Sequence, residues 1–311
     1  MNLLKKTFII AFLSFAVHSS RACDVCGCGV SASFFGTLPS GNNHFLGLRY
    51  GYSTFDASVN YNSDLIEDEY SHDTFHRTEL IGRFSIAKQL MLATNIPYLV
   101  NRAEGYPDNY SVQGIGDASV LLYFKPDLNK ELKLTKHMLF LGAGVELPLG
   151  EHKSASDGQT INRNFQLGSG SYDFLFSGNY TFRKNNLGLN LESSVKLNTQ
   201  AKDGYHFGSQ YSLNLSGLYY MEMDKFSLIG FLGSYFESSG AHDQHGVTQT
   251  NTGGSALFTT TGVQIFTRKL TFNGQYQWPL LQAYETDRYS NISSNNRFSV
   301  GVFYNFTTSS M

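Results

Sequence analysis

The chain has 311 residues, a net charge of −2 and only 15% charged residues, against roughly a quarter in soluble proteins. It carries no basic footprint for nucleic acid, and with a mean hydropathy of −0.23 no stretch after the N-terminal leader approaches the roughly 18 apolar residues of a spanning helix. Thirty glycines, 25 phenylalanines and 19 tyrosines stand against three cysteines, too few for a disulfide framework in a chain of this length.

Residues 1–22 read as a secretory signal peptide. M-N-L-L-K-K is a basic start, T-F-I-I-A-F-L-S-F-A-V an apolar core, and H-S-S-R-A supplies small residues before a cut. Cleavage after Ala22 leaves Cys23 first, so a lipidated N-terminus competes with ordinary cleavage. Ser20 stands where a lipobox carries leucine and Arg21 is unusual beside the cut, which favours ordinary cleavage. Either way the chain leaves the cytoplasm.

Residues 23–43 form a Cys-rich segment holding Cys23, Cys26 and Cys28 as C-x-x-C-x-C. Three thiolates can hold one soft cation, Cu(I) or Zn, and Gly27 and Gly29 let the backbone curl so that the sulfurs converge. Gly27 follows Cys26 where haem attachment needs histidine, and structural zinc wants a fourth ligand. A Cys23–Cys26 disulfide or inert thiols remain the commoner outcome for such a cluster in an exported chain.

From residue 44 to 306, period-two alternation recurs almost without a break. In L-G-L-N-L-E-S-S-V-K-L-N, Leu187, Leu189, Leu191, Val195 and Leu197 share one face while Asn190, Glu192, Ser194 and Lys196 share the other. About twelve such segments centre near Leu48, Ile81, Leu92, Leu121, Gly142, Phe174, Leu191, Leu213, Leu228, Val263, Gln275 and Val300. Short links near 88, 185, 224 and 268 alternate with long polar ones at 57–73, 101–113, 151–164, 199–206, 238–254 and 282–296. The expected fold is all-β: a transmembrane antiparallel up-and-down β-barrel with short periplasmic turns and long extracellular loops. A secreted β-sandwich is the soluble alternative.

Lipid offers the backbone no hydrogen-bond partners, and a closed sheet satisfies every N–H and C=O without an open edge. Tyr50, Tyr52, Tyr98, Tyr180, Phe182, Tyr219 and Tyr304 fall near strand ends, where aromatic girdles belong. Pro97, Pro148 and Pro279 should mark strand ends or bulges on the loop side. The last strand, R-F-S-V-G-V-F-Y-N-F, resembles the signal read by the outer-membrane insertion machinery; the tail T-T-S-S-M, 307–311, follows it.

Charges on polar faces, namely Arg49, Arg77, Glu79, Arg83, Asp117, Glu146, Asp173, Glu192 and Lys196, should line the lumen, since Arg or Lys at mid-bilayer on the lipid side costs about 2–4 kcal/mol. They fit a conducting path and a plugging ion-pair network equally. His72 and His76, and separately His242 and His245, cluster beside carboxylates in loop regions. Capture of a divalent cation is one reading, an ordinary solvated loop the commoner one.

Four motifs in order, Ile96-Pro97-Tyr98, Gly114-Ile115-Gly116-Asp117, Leu147-Pro148-Leu149-Gly150 and Gly168-Ser169-Gly170-Ser171-Tyr172-Asp173, resemble the outer-membrane barrels of the "MetA-pathway of phenol degradation" family. The likeness covers roughly 44–306. It implies a channel or transporter-like barrel in the cell outer membrane that passes small solutes, without implying phenols. The cysteine cluster departs from the family pattern. A metal-binding or surface-interaction protein that uses the barrel only as an anchor is the second reading. A barrel enzyme is disfavoured: His152, Ser154 and His206 are not joined into a catalytic set, and neither G-x-S-x-G nor H-E-x-x-H occurs. The expected partners are therefore outer-membrane lipid, a small-molecule solute and the insertion machinery.

Overall fold

A computed structural model of the chain describes residues 44–128, 135–156 and 159–306. The signal peptide, Cys23, Cys26 and Cys28, and the C-terminal tail lie outside the described residues. Twelve antiparallel strands form one closed barrel in which each strand pairs with its chain neighbours and the last with the first. They are β1 His44–Val59, β2 Glu69–Ala87, β3 Leu90–Tyr106, β4 in two pieces, Tyr110–Ile115 and Ala118–Phe124, β5 Thr135–Leu147 and β6 Asp173–Lys184. There follow β7 Leu187–Leu197, β8 Gln210–Glu222, β9 Ser227–Ser239, β10 Gly254–Phe266, β11 Leu270–Tyr284 and β12 in two pieces, Ser290–Ser294 and Arg297–Phe306. Closure runs from His44 opposite Phe306 to Tyr52 opposite Phe298. Each sequence-derived centre falls in a different strand, although Phe174 and Leu228 stand at the start of β6 and β9.

The two faces of the sheet are inverted relative to a soluble protein. On β8, Leu215 is 53% exposed while its neighbour Asn214 is 8% exposed. Ser212 and Ser216 are buried with Asn214, and Tyr211, Leu213 and Tyr219 stand outside. A sandwich would cover the leucines; here the apolar rows form the outer wall and most mid-strand polar rows the interior, as an outer-membrane barrel requires. Leu215→Arg should therefore lower the stability of the barrel in phospholipid vesicles by about 2–4 kcal/mol. Leu215→Phe should stay within about 1 kcal/mol of wild type, both read from urea unfolding. An arginine tolerated at this position would speak for a solvated face.

Aromatic side chains gather at both ends of the outer wall. His44 stacks on Phe306 with centroids 5.5 Å apart at the short-turn end, and Tyr52 meets Phe298 at 5.5 Å toward the other.

The links expected at 57–73, 101–113 and 282–296 are partly strand. β2 begins at Glu69, β3 runs to Tyr106, and β11 reaches Tyr284. About ten tilted residues cross the apolar band, so the surplus of these long strands stands above it as a paired collar. Asp56, His72, Arg102 and Glu104 there break the apolar–polar alternation while backbone pairing continues. Pro148 directly follows β5, and Pro279 sits where the β10–β11 register shifts. Pro97, expected at a strand end or bulge, lies inside β3, opposite the Gly116–Asp117 break in β4, and its carbonyl accepts from Gly116 N at 2.9 Å. The interruption in the neighbouring strand lets a residue without an N–H sit in mid-ladder.

Candidate functional site in the barrel lumen

The interior has three levels. Toward the short-turn end, Phe45, Ile81, Met91, Tyr123, Phe140 and Phe303 pack together inside the barrel. The inner faces are therefore not polar throughout. Alternation alone places these residues inward, because Phe45 is in phase with Arg49 and Phe303 with Ser299.

At mid-height, buried ion pairs cross between strands. Glu79 accepts from Arg49 Nε at 2.6 Å, from Arg77 Nε at 2.9 Å and from Asn95 Nδ2 at 2.8 Å. Arg83 lies over the Phe45 ring, 4.5 Å from its centroid. Arg297 on β12 reaches Glu237 on β9 at 2.8 Å and stacks over Phe258 at 4.1 Å. Sequence reading missed Glu237 and Arg297, although both are in phase with inward residues, Glu237 with Tyr235 and Arg297 with Ser299. Glu192 and Asp173 are buried too, and Glu146, Lys196 and Arg77 nearly so.

The upper level is made by the described residues of the β5–β6 link, 148–156 and 159–172, which fold into the mouth instead of projecting outward. Ile161 and Phe165 are buried against Phe55 and Phe75 of the wall, and the Phe165 ring lies 5.2 Å from Phe75 and 4.8 Å from Tyr110. Asp117 pins both ends of this link. Gly150 N donates to Asp117 Oδ1 at 2.9 Å, and Ser169 N donates to Asp117 Oδ2 at 2.7 Å. A Cβ on Gly168 would stand 2.4 Å from Asp117 Oδ1, and one on Gly150 2.5 Å from Leu167 O, so glycine is the residue that lets the two ends close on the carboxylate. Asp173 extends the clasp, accepting from Ser171 Oγ at 2.8 Å and Thr199 N at 2.9 Å. Lys196 joins Glu146 and stands 3.5 Å from Asp173. The strand-end motifs seen in the sequence thus meet as one fastening.

Two further links are tied to the infolded one. Arg163 reaches Asp203 at 2.9 Å in the link 198–209, and Tyr205 of that link shares a 2.6 Å hydrogen bond with His242 of the link 240–253. Burial, helped by nearby His206, pushes His242 down to about 4, so it is neutral at physiological pH. On the collar, burial pushes the Asp73 carboxyl up to about 6. Between the infolded link and the wall lies a cavity of about 120 Å³ lined by Asn101, Gln166, Lys196, Asn198, Phe207 and His242, among others.

The four histidines go separate ways. His72 is exposed and meets Asp56 Oδ1 at 2.6 Å. His76 meets the Tyr50 hydroxyl at 2.7 Å on the outer wall. His242 is spent on Tyr205, and His245 sits at the hairpin turn beside Gly204. Among the described residues, no three His, Cys, Asp or Glu side chains are grouped to hold a metal. Of the residues weighed for catalysis, His152 accepts on its carbonyl from Arg163 at 3.0 Å and His206 meets the Asn198 carbonyl at 3.0 Å.

Neither a family model nor a curated protein sequence matches the chain. Among solved structures, the fold is similar to an outer-membrane channel from Pseudomonas putida F1, with TM-score 0.62, 16% identity, and coverage of 88% of this chain and 98% of that one. The β domain of the Bordetella autotransporter BrkA aligns with TM-score 0.47 and 11% identity over 84% of this chain and 99% of that one. The translocator domain of autotransporter NalP from Neisseria meningitidis aligns with TM-score 0.44 and 9% identity over 90% and 94%. The first of these likenesses establishes the fold, that of an outer-membrane barrel.

Proposed function

We propose that the protein is an outer-membrane channel for small solutes, a transporter-like barrel of the kind its strand-end motifs resemble in the "MetA-pathway of phenol degradation" family. The observation that supports it best is the pairing of an apolar outer wall with a charged lumen. Buried Arg49, Glu79, Arg83, Glu192, Glu237 and Arg297 sit where a barrel serving only as an anchor gains more from apolar filling. The infolded link 148–172 is the closure of this channel, and solutes pass when it is displaced. In this reading residues 1–22 direct export and the terminal strand is handed to the insertion machinery. A soft ion, Cu(I) or Zn, would be held by Cys23, Cys26 and Cys28 ahead of the barrel.

Refolded protein in planar lipid bilayers tests the channel. Discrete conductance steps are expected, small for the wild type and larger when residues 152–166 are replaced by a short Gly-Ser linker. Absence of steps from both forms would leave the anchor reading in its place. Copper and zinc titration of the mature protein against a Cys23/Cys26/Cys28→Ser variant decides the metal part separately, since equal binding by both forms removes it.

A further inference from the structure

The charges inside the barrel are not mixed at random around the ring. Inward on β1 and β2 stand Arg49, Arg77 and Arg83 with two carboxylates, Glu79 and, toward the collar, Asp73. From the β4 break to β7 stand Asp117, Glu146, Asp173 and Glu192 with Lys196, and with Lys125 and Arg183 nearer the short-turn end. In a ring of twelve strands, β7 lies diametrically opposite β1. The two groups therefore look at each other across the bore, one net positive and the other net negative.

A twelve-strand barrel with the usual tilt and strand spacing has a backbone diameter of about 24 Å. Inward side chains narrow that to a bore in which the opposite walls stay within about a Debye length of each other. Each wall is partly balanced on its own side, the arginines by Glu79 and Asp73 and the acids by Lys196, Lys125 and Arg183. The bore thus offers a small monopole and a transverse dipole. Low-dielectric walls concentrate such a field, and a solute gains from it in proportion to its own charge separation.

We propose that the lumen selects small zwitterions, solutes bearing one ammonium and one carboxylate a few ångströms apart. The carboxylate turns toward the Arg49–Arg77–Arg83 wall and the ammonium toward the Asp117–Glu146–Asp173–Glu192 wall. A net anion is attracted to one wall and repelled by the other, and so is a net cation. An uncharged isomer gains nothing from the field while still displacing water from ionised groups.

This inference rests on the channel reading, and one set of solutes separates the two. Entry into proteoliposomes is measured for L-alanine, its uncharged isomer lactamide, the anion lactate and the cation alaninamide, each corrected for protein-free vesicles. The expected result is protein-dependent entry of L-alanine at least about tenfold faster than lactamide, with both net-charged solutes slower than L-alanine. In Arg83→Gln and Glu192→Gln proteins that show folded-barrel mobility, the advantage of L-alanine over lactamide should shrink toward unity. Entry of lactamide at the same rate as L-alanine, or faster entry of lactate or alaninamide, overturns the proposal and leaves a channel. An advantage unchanged in both variants overturns it equally. Protein-dependent entry of none of the four removes the channel reading and the proposal with it. Should either variant fail to fold, the wild-type ranking of the four solutes still decides.

Discussion

Asp117→Ala should raise single-channel conductance several-fold while leaving the barrel folded. The carboxylate receives the N–H of Gly150 and of Ser169, the two ends of the infolded link, and the charge makes both hydrogen bonds strong. Removing it leaves two buried donors without their acceptor, at about 1–3 kcal/mol each. The Phe165 side chain, which presses on Phe75 and Tyr110, then has less to hold it in the mouth. The wall does not depend on Asp117, because the residue lies in the gap between the two pieces of β4. Asp117→Asn keeps one acceptor oxygen and should give an intermediate conductance. Bilayer recordings of the two variants beside wild type measure the effect. Wild-type conductance in both would mean that the link does not obstruct the bore.

Glu79→Ala should cost about 3–5 kcal/mol of stability. Glu79 is 1% exposed and accepts from Arg49, Arg77 and Asn95. Deleting it strands Arg49, itself 2% exposed, beside a second arginine and without the carboxylate that balances both. Arg49→Met combined with Glu79→Leu removes the pair together and should recover most of the loss, since an apolar pair of similar volume avoids the desolvation of two ions. Urea unfolding in vesicles, compared across the single and double variants, gives the coupling directly.

The wall of the barrel was legible in the sequence because its signal is local. Q-Y-S-L-N-L-S on β8 alternates residue by residue, and the pleat converts that alternation into an outer and an inner face. The collar was not legible, since Asp56, His72 and Glu104 make its outer face polar while Phe55 and Ala103 turn inward, and pairing there is driven by backbone hydrogen bonds rather than an apolar outer row. The infolding of 148–172 escaped for another reason. Ile161 and Phe165 are isolated apolar residues in a polar link, and what buries them is Phe75, far away in the chain. Asp117, Gly150 and Gly168 stood out as motif residues, but their meeting on one carboxylate is a tertiary event that spacing does not encode. Glu237 and Arg297 were hidden because each lies near the loop end of its strand, where a charge reads as rim. The histidines looked like two clusters in sequence, yet strand geometry sends His76 to the outer wall and His72 to the collar.

Closure has a consequence for how the molecule must be made. His44 pairs with Phe306, so the first strand waits for the final one before its second row of amides is satisfied. Any shortened form that lacks β12 exposes two raw ladders, on β1 and on β11, and both would seek other chains. Contacts of such long sequence separation are slow to form. The chain must therefore be kept from aggregating until its C-terminal end is available, and its assembly is all-or-nothing: there is no smaller barrel inside this one.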